Sequence, residues 1–177
     1  IRFNENDARE MGRTATGVRG IKLREDDYVV AMDSVSSGTQ LLVVTEKGYG
    51  KRTELDQYPL QNRGGFGVKT LQLTDKTGGI VGARLVAEDH ELMVSTKQGT
   101  LIRTSVDGIS VIGRATQGVR VIRLGDDDEV TAIARIEVED VVEDEELDGE
   151  EGEFADGVDT EASAEDGEAD ESDDSDE

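Results

Sequence analysis

Cysteine and tryptophan are absent from these 177 residues, proline and histidine occur once each, and aromatic side chains make up only 3%. Without cysteine there is no disulfide and no thiolate metal site, which fits a reducing cytoplasm. No apolar run approaches the roughly 18 residues of a membrane span, and the N-terminus carries no signal-peptide pattern. A soluble, cytoplasmic protein is therefore expected. The single His90 stands among acids in Glu88-Asp89-His90-Glu91. With no second histidine and no thiol beside it, it reads as a solvated turn residue. Gly48-Tyr49-Gly50-Lys51-Arg52-Thr53 lacks the spacing of a phosphate loop, and Asp126-Asp127-Asp128-Glu129 lacks the alternating ligands and glycine of a calcium loop. Neither a catalytic residue nor a metal ligand is expected.

Positive charge is missing from one end altogether. From Glu137 to Glu177 there are 23 acidic residues and no lysine or arginine, so the formal charge of −23 belongs wholly to that segment. The body, Ile1 to Ile136, holds 19 acids against all 19 basic residues. A segment so rich in carboxylates, glycine, serine and alanine cannot bury enough apolar surface to offset the entropy of ordering. Residues 137–177 are expected to be a disordered acidic tail.

The body repeats. Arg52 and Arg103 are 51 residues apart, as are Gly48 and Gly99, Arg63 and Arg114, and Gly67 and Gly118. Arg2 and Arg52, Arg13 and Arg63, and Gly17 and Gly67 are 50 apart. Each unit reads as an apolar strand, a glycine turn, a basic strand, an Arg-Gly loop and two further strands. In the central unit these are Leu41–Thr45, Glu46-Lys47-Gly48, Gly50–Thr53, Gln61–Gly67, Val68–Leu73 and Ile80–Val86. A repeat of this length built from short strands and tight turns predicts an all-β, propeller-like array, because a four-stranded unit buries its faces only against neighbours. The expected division is a partial blade at 1–33, complete blades at 34–86 and 87–136, and the tail.

Ile1-Arg2-Phe3 aligns with Ile102-Arg103-Thr104, inside a unit, and the chain has no initiator methionine. A C-terminal fragment of a longer protein is expected. Asn4 to Met11 suits a helical turn, Tyr28–Met32 a strand closing the partial blade, and Pro59 a connection where its missing N–H is tolerated.

Cations recur at equivalent positions. They are Arg2, Arg52 and Arg103 on one strand, with Lys51 beside Arg52. Arg13, Arg63 and Arg114 recur in the glycine loop, and Arg19, Lys69 and Arg120 just after it. In a radial array such a series forms a ring, and a ring of cations matches a bent polyanion whose counterions it displaces. The same arginines could instead be solvated or paired with the body's own acids. If they bind a polyanion, each pairs with a phosphate; if an acidic protein, an exposed apolar anchor is needed, and three Phe and three Tyr supply few.

At Gly48–Thr53, Tyr58-Pro59, Gln61–Val68 and Gly113-Arg114-Ala115-Thr116-Gln117-Gly118-Val119, the chain resembles the last blades of the C-terminal domain of the DNA gyrase A protein. The resemblance covers Ile1 to about Ile136. It implies a β-pinwheel that wraps DNA within a type II topoisomerase, supporting ATP-dependent negative supercoiling by the whole enzyme. It further implies that ATP and Mg2+ act mainly through a partner protein, that this partner, gyrase B, joins in an A2B2 assembly through a region outside this chain, and that no cofactor binds here. The family's box of Gln, basic, Arg, Gly, Gly, basic, Gly is matched by Gln61, Arg63, Gly64, Gly65 and Gly67, with Asn62 and Phe66 at the basic positions. It is a degenerate copy. The similar C-terminal domain of topoisomerase IV, or a propeller-like protein-interaction module, is the alternative.

A flexible polyanion joined to the last blade competes with DNA at a high effective concentration, or it serves only solubility. Competition predicts that ending the intact domain after Ile136 tightens DNA binding at low salt. The gain should fade as the Debye length drops from about 30 Å at 0.01 M to about 8 Å at 0.15 M. Equal affinities at low salt, measured by titration with labelled duplex, leave solubility as the explanation.

Overall fold

The computed structural model describes residues 1–37 and 39–137. The expectation of a disordered tail falls, but for Glu137, outside the described residues. Among the described residues seven strands form two antiparallel sheets. They are β1 (Gln40–Thr45), β2 (Tyr49–Glu54), β3 (Ile80–Val86), β4 (Glu91–Thr96), β5 (Leu101–Ser105), β6 (Val119–Arg120) and β7 (Val130–Ile136). The first sheet runs β3-β1-β2-β6 and the second β5-β4-β7. The hairpin turns sit where glycine supplies a positive φ, at Gly48 (φ 74°) between β1 and β2 and at Gly99 (φ 87°) between β4 and β5.

The two sheets repeat each other closely. Val43 faces Lys51 across β1–β2 as Val94 faces Ile102 across β4–β5, and each central strand carries a register shift near its end, at Val44/Thr45 and at Ser95/Thr96. Leu42, Val44 and Val86 pack with Leu92, Val94, Val106, Ile109, Ile122, Val130 and Ile133 into a common core. Gly82 lets β3 lie close to β7, since a Cβ there would stand 2.6 Å from Ile133 Cγ1.

The fourth strand of the first sheet comes from the following repeat. β6 pairs with β2 through Tyr49–Arg120 and Gly50–Val119, and the N–H groups of Val121 and Ile122 both donate to Gly48 O, at 2.9 and 3.1 Å. Of the three expected loop-then-strand copies, only this one is a strand. Among the described residues Val68–Leu73 is paired with no strand, and Gln72 N–H donates instead to Thr116 O of the next unit at 2.9 Å. The same reason corrects the expected strand at Tyr28–Met32. No strand among the described residues pairs with it, and the segment is irregular, with Tyr28 and Met32 69% and 89% exposed. The expected turn near Asn4 is a short 3-10 turn, Glu5–Asp7, capped by Asn4 Oδ1 accepting from Asn6 N–H at 3.0 Å.

Where β6 joins β2 the backbones nearly touch. Gly118 adopts φ +79°, and a Cβ on it would stand 2.6 Å from Gly50 O. Gly118→Ala is expected to cost about 1–3 kcal/mol through the left-handed backbone and this clash. Amide exchange should quicken at Arg120 and Val121 while Leu92 and Val94 remain protected.

Candidate nucleic-acid interface

The recurring cations divide into two groups that perform different physical tasks. Arg2 and Arg52 lie on the strand position expected to form an exposed ring, but their guanidinium groups are turned onto backbone carbonyls of the next repeat. Arg2 Nη1 donates to Leu55 O at 3.0 Å and Tyr58 O at 3.3 Å. Arg52 is buried, with Nε on Ile109 O at 2.7 Å, Nη2 on Asp107 O at 2.9 Å and Nη1 on Gln40 Oε1 at 2.9 Å. Ile109 stands one repeat after Tyr58, so that contact is made twice, whereas the second carbonyl differs, Leu55 corresponding to Val106 and not to Asp107. Arg103, the third member, is exposed and ion-paired with Glu91 on its own sheet. The expectation of an exposed ring is corrected at Arg2 and Arg52: planar forks of N–H donors suit carbonyls that end a turn, and burial there requires every donor to be met.

Lys51 departs from the expected surface in the same way. Its side chain is fully buried, and Nζ donates to Gly113 O and Arg114 O at 2.6 Å and reaches Thr116 Oγ1 at 3.2 Å. The equivalent positions are Ile1 and Ile102. A lone lysine in an apolar register was the signal that marked it as an interior latch.

The Arg-Gly loop is a connector between units. Arg63 Nε donates to Asp7 O at 2.8 Å and Nη1 to Arg19 O at 3.1 Å; one repeat on, Arg114 Nη1 donates to Lys69 O at 2.8 Å. Both arginines are half-buried. Gly64 N–H donates to Gly20 O at 2.6 Å and Lys22 N–H to Gly65 O at 2.8 Å, and Gln72 N–H repeats the latter contact on Thr116 O at 2.9 Å. Gly64 and Gly67 have φ of 78° and 73°. A Cβ on Gly67 would stand 2.8 Å from Ile1 N. Gln61 donates its N–H to Arg2 O at 2.9 Å.

Arg13, Arg19, Lys69 and Arg120 are exposed, and none of them forms an ion pair with a carboxylate among the described residues. Arg120 stands on β6, the outermost strand of its sheet, where its Nη2 donates to Tyr49 Oη at 3.2 Å and its guanidinium lies 5.5 Å from the ring centroid. Lys76 stacks on the same ring at 5.4 Å. The hydrogen bond from Arg120, with the charge of Lys76 nearby, holds the Tyr49 phenol below its usual pKa. Exposed Lys22, Arg24, Lys76 and Arg123 belong with this group, although they lie outside the three recurring series. Lys22 and Arg123 are equivalent positions of the first and third units, so part of that signal was present in the sequence.

His90 is the turn residue expected, its Nδ1 accepting from Ala87 N–H at 3.0 Å. The acidic run 126–129 is likewise a turn, in which Asp128 Oδ1 accepts from Gln98 and Glu129 N–H at 3.0 and 2.9 Å. Among the described residues no group of three or more His, Asp or Glu side chains could hold a metal ion.

A family model described as the DNA gyrase C-terminal domain, beta-propeller, matches residues 1–36, 39–87 and 90–137. The chain belongs to the DNA gyrase C-terminal domain family. Its similarity to the DNA gyrase A protein of Staphylococcus aureus, as in strains MRSA252 and NCTC 8325, is 51% identity over 138 residues, covering 77% of this chain. The chain spans 16% of the length of these curated relatives. A solved DNA gyrase A C-terminal domain superposes with a TM-score of 0.69 at 34% identity, covering 75% of this chain and 45% of that one. The C-terminal domain of DNA topoisomerase IV shares the fold, with a TM-score of 0.69 at 24% identity over 76% of this chain and 42% of that one.

In this gyrase-type domain Lys51 provides a direct electrostatic test. Burial, with the charge of Arg114 second, lowers its pKa from 10.5 to about 8. Below about pH 8 folded and unfolded chains both hold the proton, and Lys51 adds no pH dependence. Between about pH 8 and 10.5 the unfolded chain keeps it and the folded chain releases it, so this residue makes stability rise with pH. Comparing denaturant midpoints of the wild type and Lys51→Met from pH 7 to 10 should reveal that rise in the wild type alone. An Nζ titration with a midpoint near 10.5 contradicts the burial argument.

Proposed function

We propose that this chain is the DNA-wrapping part of a type II topoisomerase, the terminal blades of a DNA gyrase A protein, with blades at 1–33, 34–86 and 87–136. One observation carries the reading: Arg19, Lys69 and Arg120 recur with the repeat, are exposed, and lack an acidic partner among the described residues, whereas Lys97, Arg103 and Arg135 on the same body are ion-paired. Unpaired cations at equivalent places on successive units meet a polyanion that curves past each unit in turn. Their contacts are to phosphate, so they position duplex DNA without reading its sequence, and bending is supported by the number of contacts the curve permits.

On this reading the parent enzyme draws on ATP and Mg2+ mainly through the gyrase B protein in an A2B2 assembly, acts in the cytoplasm on the nucleoid, and takes its DNA-cleaving chemistry from residues outside this chain. Arg63 and Arg114 hold the loops that present the exposed cations. Arg2, Lys51 and Arg52 fix one blade to the next.

Replacing Arg19, Lys69 and Arg120 together with Gln should weaken binding to duplexes of unrelated sequence alike. The slope of log K against log salt should fall by about one unit for each contact removed. Unchanged affinity and slope in a folded triple variant would overturn the proposal.

A further inference from the structure

Phe66 is 54% exposed in the Arg-Gly loop. Two cations from the preceding unit flank its ring, with Lys22 Nζ 4.9 Å and Arg24 Cζ 5.5 Å from the centroid. The arrangement is anchored in the backbone, because Lys22 N–H donates to Gly65 O at 2.8 Å, one residue from the phenylalanine. Among the described residues neither cation forms an ion pair, although Glu25, Asp26 and Asp27 follow directly in the chain. Two like charges held at one ring repel each other. The negative face of the ring offsets part of that repulsion, and an anion bound to both would relieve the rest.

We infer that Lys22, Phe66 and Arg24 form a preassembled binding site for a backbone phosphate of duplex DNA at the boundary between the first two units, with Phe66 as the positioning residue. The inference rests on the DNA-wrapping reading above. It adds a contact that the repeat does not supply, because the equivalent residues one unit later are Gln72, Thr74 and Gln117, none of them charged or aromatic. Arg19 lies alongside, its carbonyl accepting from Arg63 Nη1 at 3.1 Å. Phe66 has no charge of its own and acts through the two side chains it holds, lowering the entropy they lose on meeting a phosphate.

The test is anisotropy titration of the full chain with a labelled DNA duplex at several salt concentrations, with folding of each variant checked by circular dichroism. Lys22→Gln and Arg24→Gln should each reduce the salt slope by about one unit. Phe66→Ala, which removes no charge, should weaken binding about two- to fivefold. Phe66→Trp should restore the affinity and Phe66→Leu should not. In a Lys22→Gln, Arg24→Gln background, Phe66→Ala should have no further effect, since its role is exercised through those cations. Wild-type affinity for Phe66→Ala or Phe66→Leu, or a full Phe66→Ala loss in the double-Gln background, would overturn the site. If Arg120→Gln weakens binding in the same assay, the DNA reading survives that result. If neither Arg120→Gln nor Lys22→Gln has an effect, the DNA reading itself falls.

Discussion

A guanidinium set against the carbonyls of a neighbouring repeat is the contact on which this structure depends. Sheets of three or four short strands bury too little to stand alone, and each must be oriented on the next by something more directional than apolar packing. Arg2 on Leu55 and Tyr58, and Arg52 on Asp107 and Ile109, supply that direction. The contact runs alongside an isolated parallel bridge in both cases, Arg2 to Leu60 and Arg52 to Val111. Thr53 Oγ1 on Ile112 O and the Lys51 ammonium on Gly113 and Arg114 extend the same seam. Buried charge is tolerated here because its hydrogen-bonding capacity is met by fixed dipoles.

This arrangement explains what the sequence disclosed and what it concealed. The period, the turns at Gly48 and Gly99 and the strands β1 to β5 and β7 followed from apolar runs and glycine spacing, which are local signals. Whether a given arginine faces water or a carbonyl is not local. Arg52 and Arg120 look alike in sequence, yet one is enclosed by residues 57 positions away while the other stands on an edge strand. The position of Lys51 between Ile1 and Ile102 in the repeat was a usable clue, because a register that is apolar elsewhere points inward. Tyr28–Met32 had the composition of a strand but no partner among the described residues, and a strand without a neighbour leaves its backbone groups to solvent.

The same division accounts for the electrostatics of the body, whose acids and bases balance by count. Neutrality overall is compatible with a basic edge when part of the acidic complement is tied to other bases. Glu91 holds Arg103, Glu129 holds Lys97, and Glu88 Oε1 lies 3.8 Å from Arg52 Nη1. Among the cations that remain exposed, Arg19, Lys69 and Arg120 recur with the units, so their placement follows from the repeat and not from net charge.

The borrowed strand β6 also sets a timetable for folding. Tyr49 leaves the ribosome 71 residues before its partner Arg120. At about 5–20 residues per second, the outer side of β2 waits several seconds during synthesis for the segment that completes its sheet. Its own hairpin with β1 closes far sooner, on a scale of microseconds. The nascent chain therefore passes through a stage in which a formed hairpin presents an open ladder of N–H and C=O groups. The charged Lys51 and Arg52 in that strand, not yet enclosed, discourage pairing with another chain during the interval.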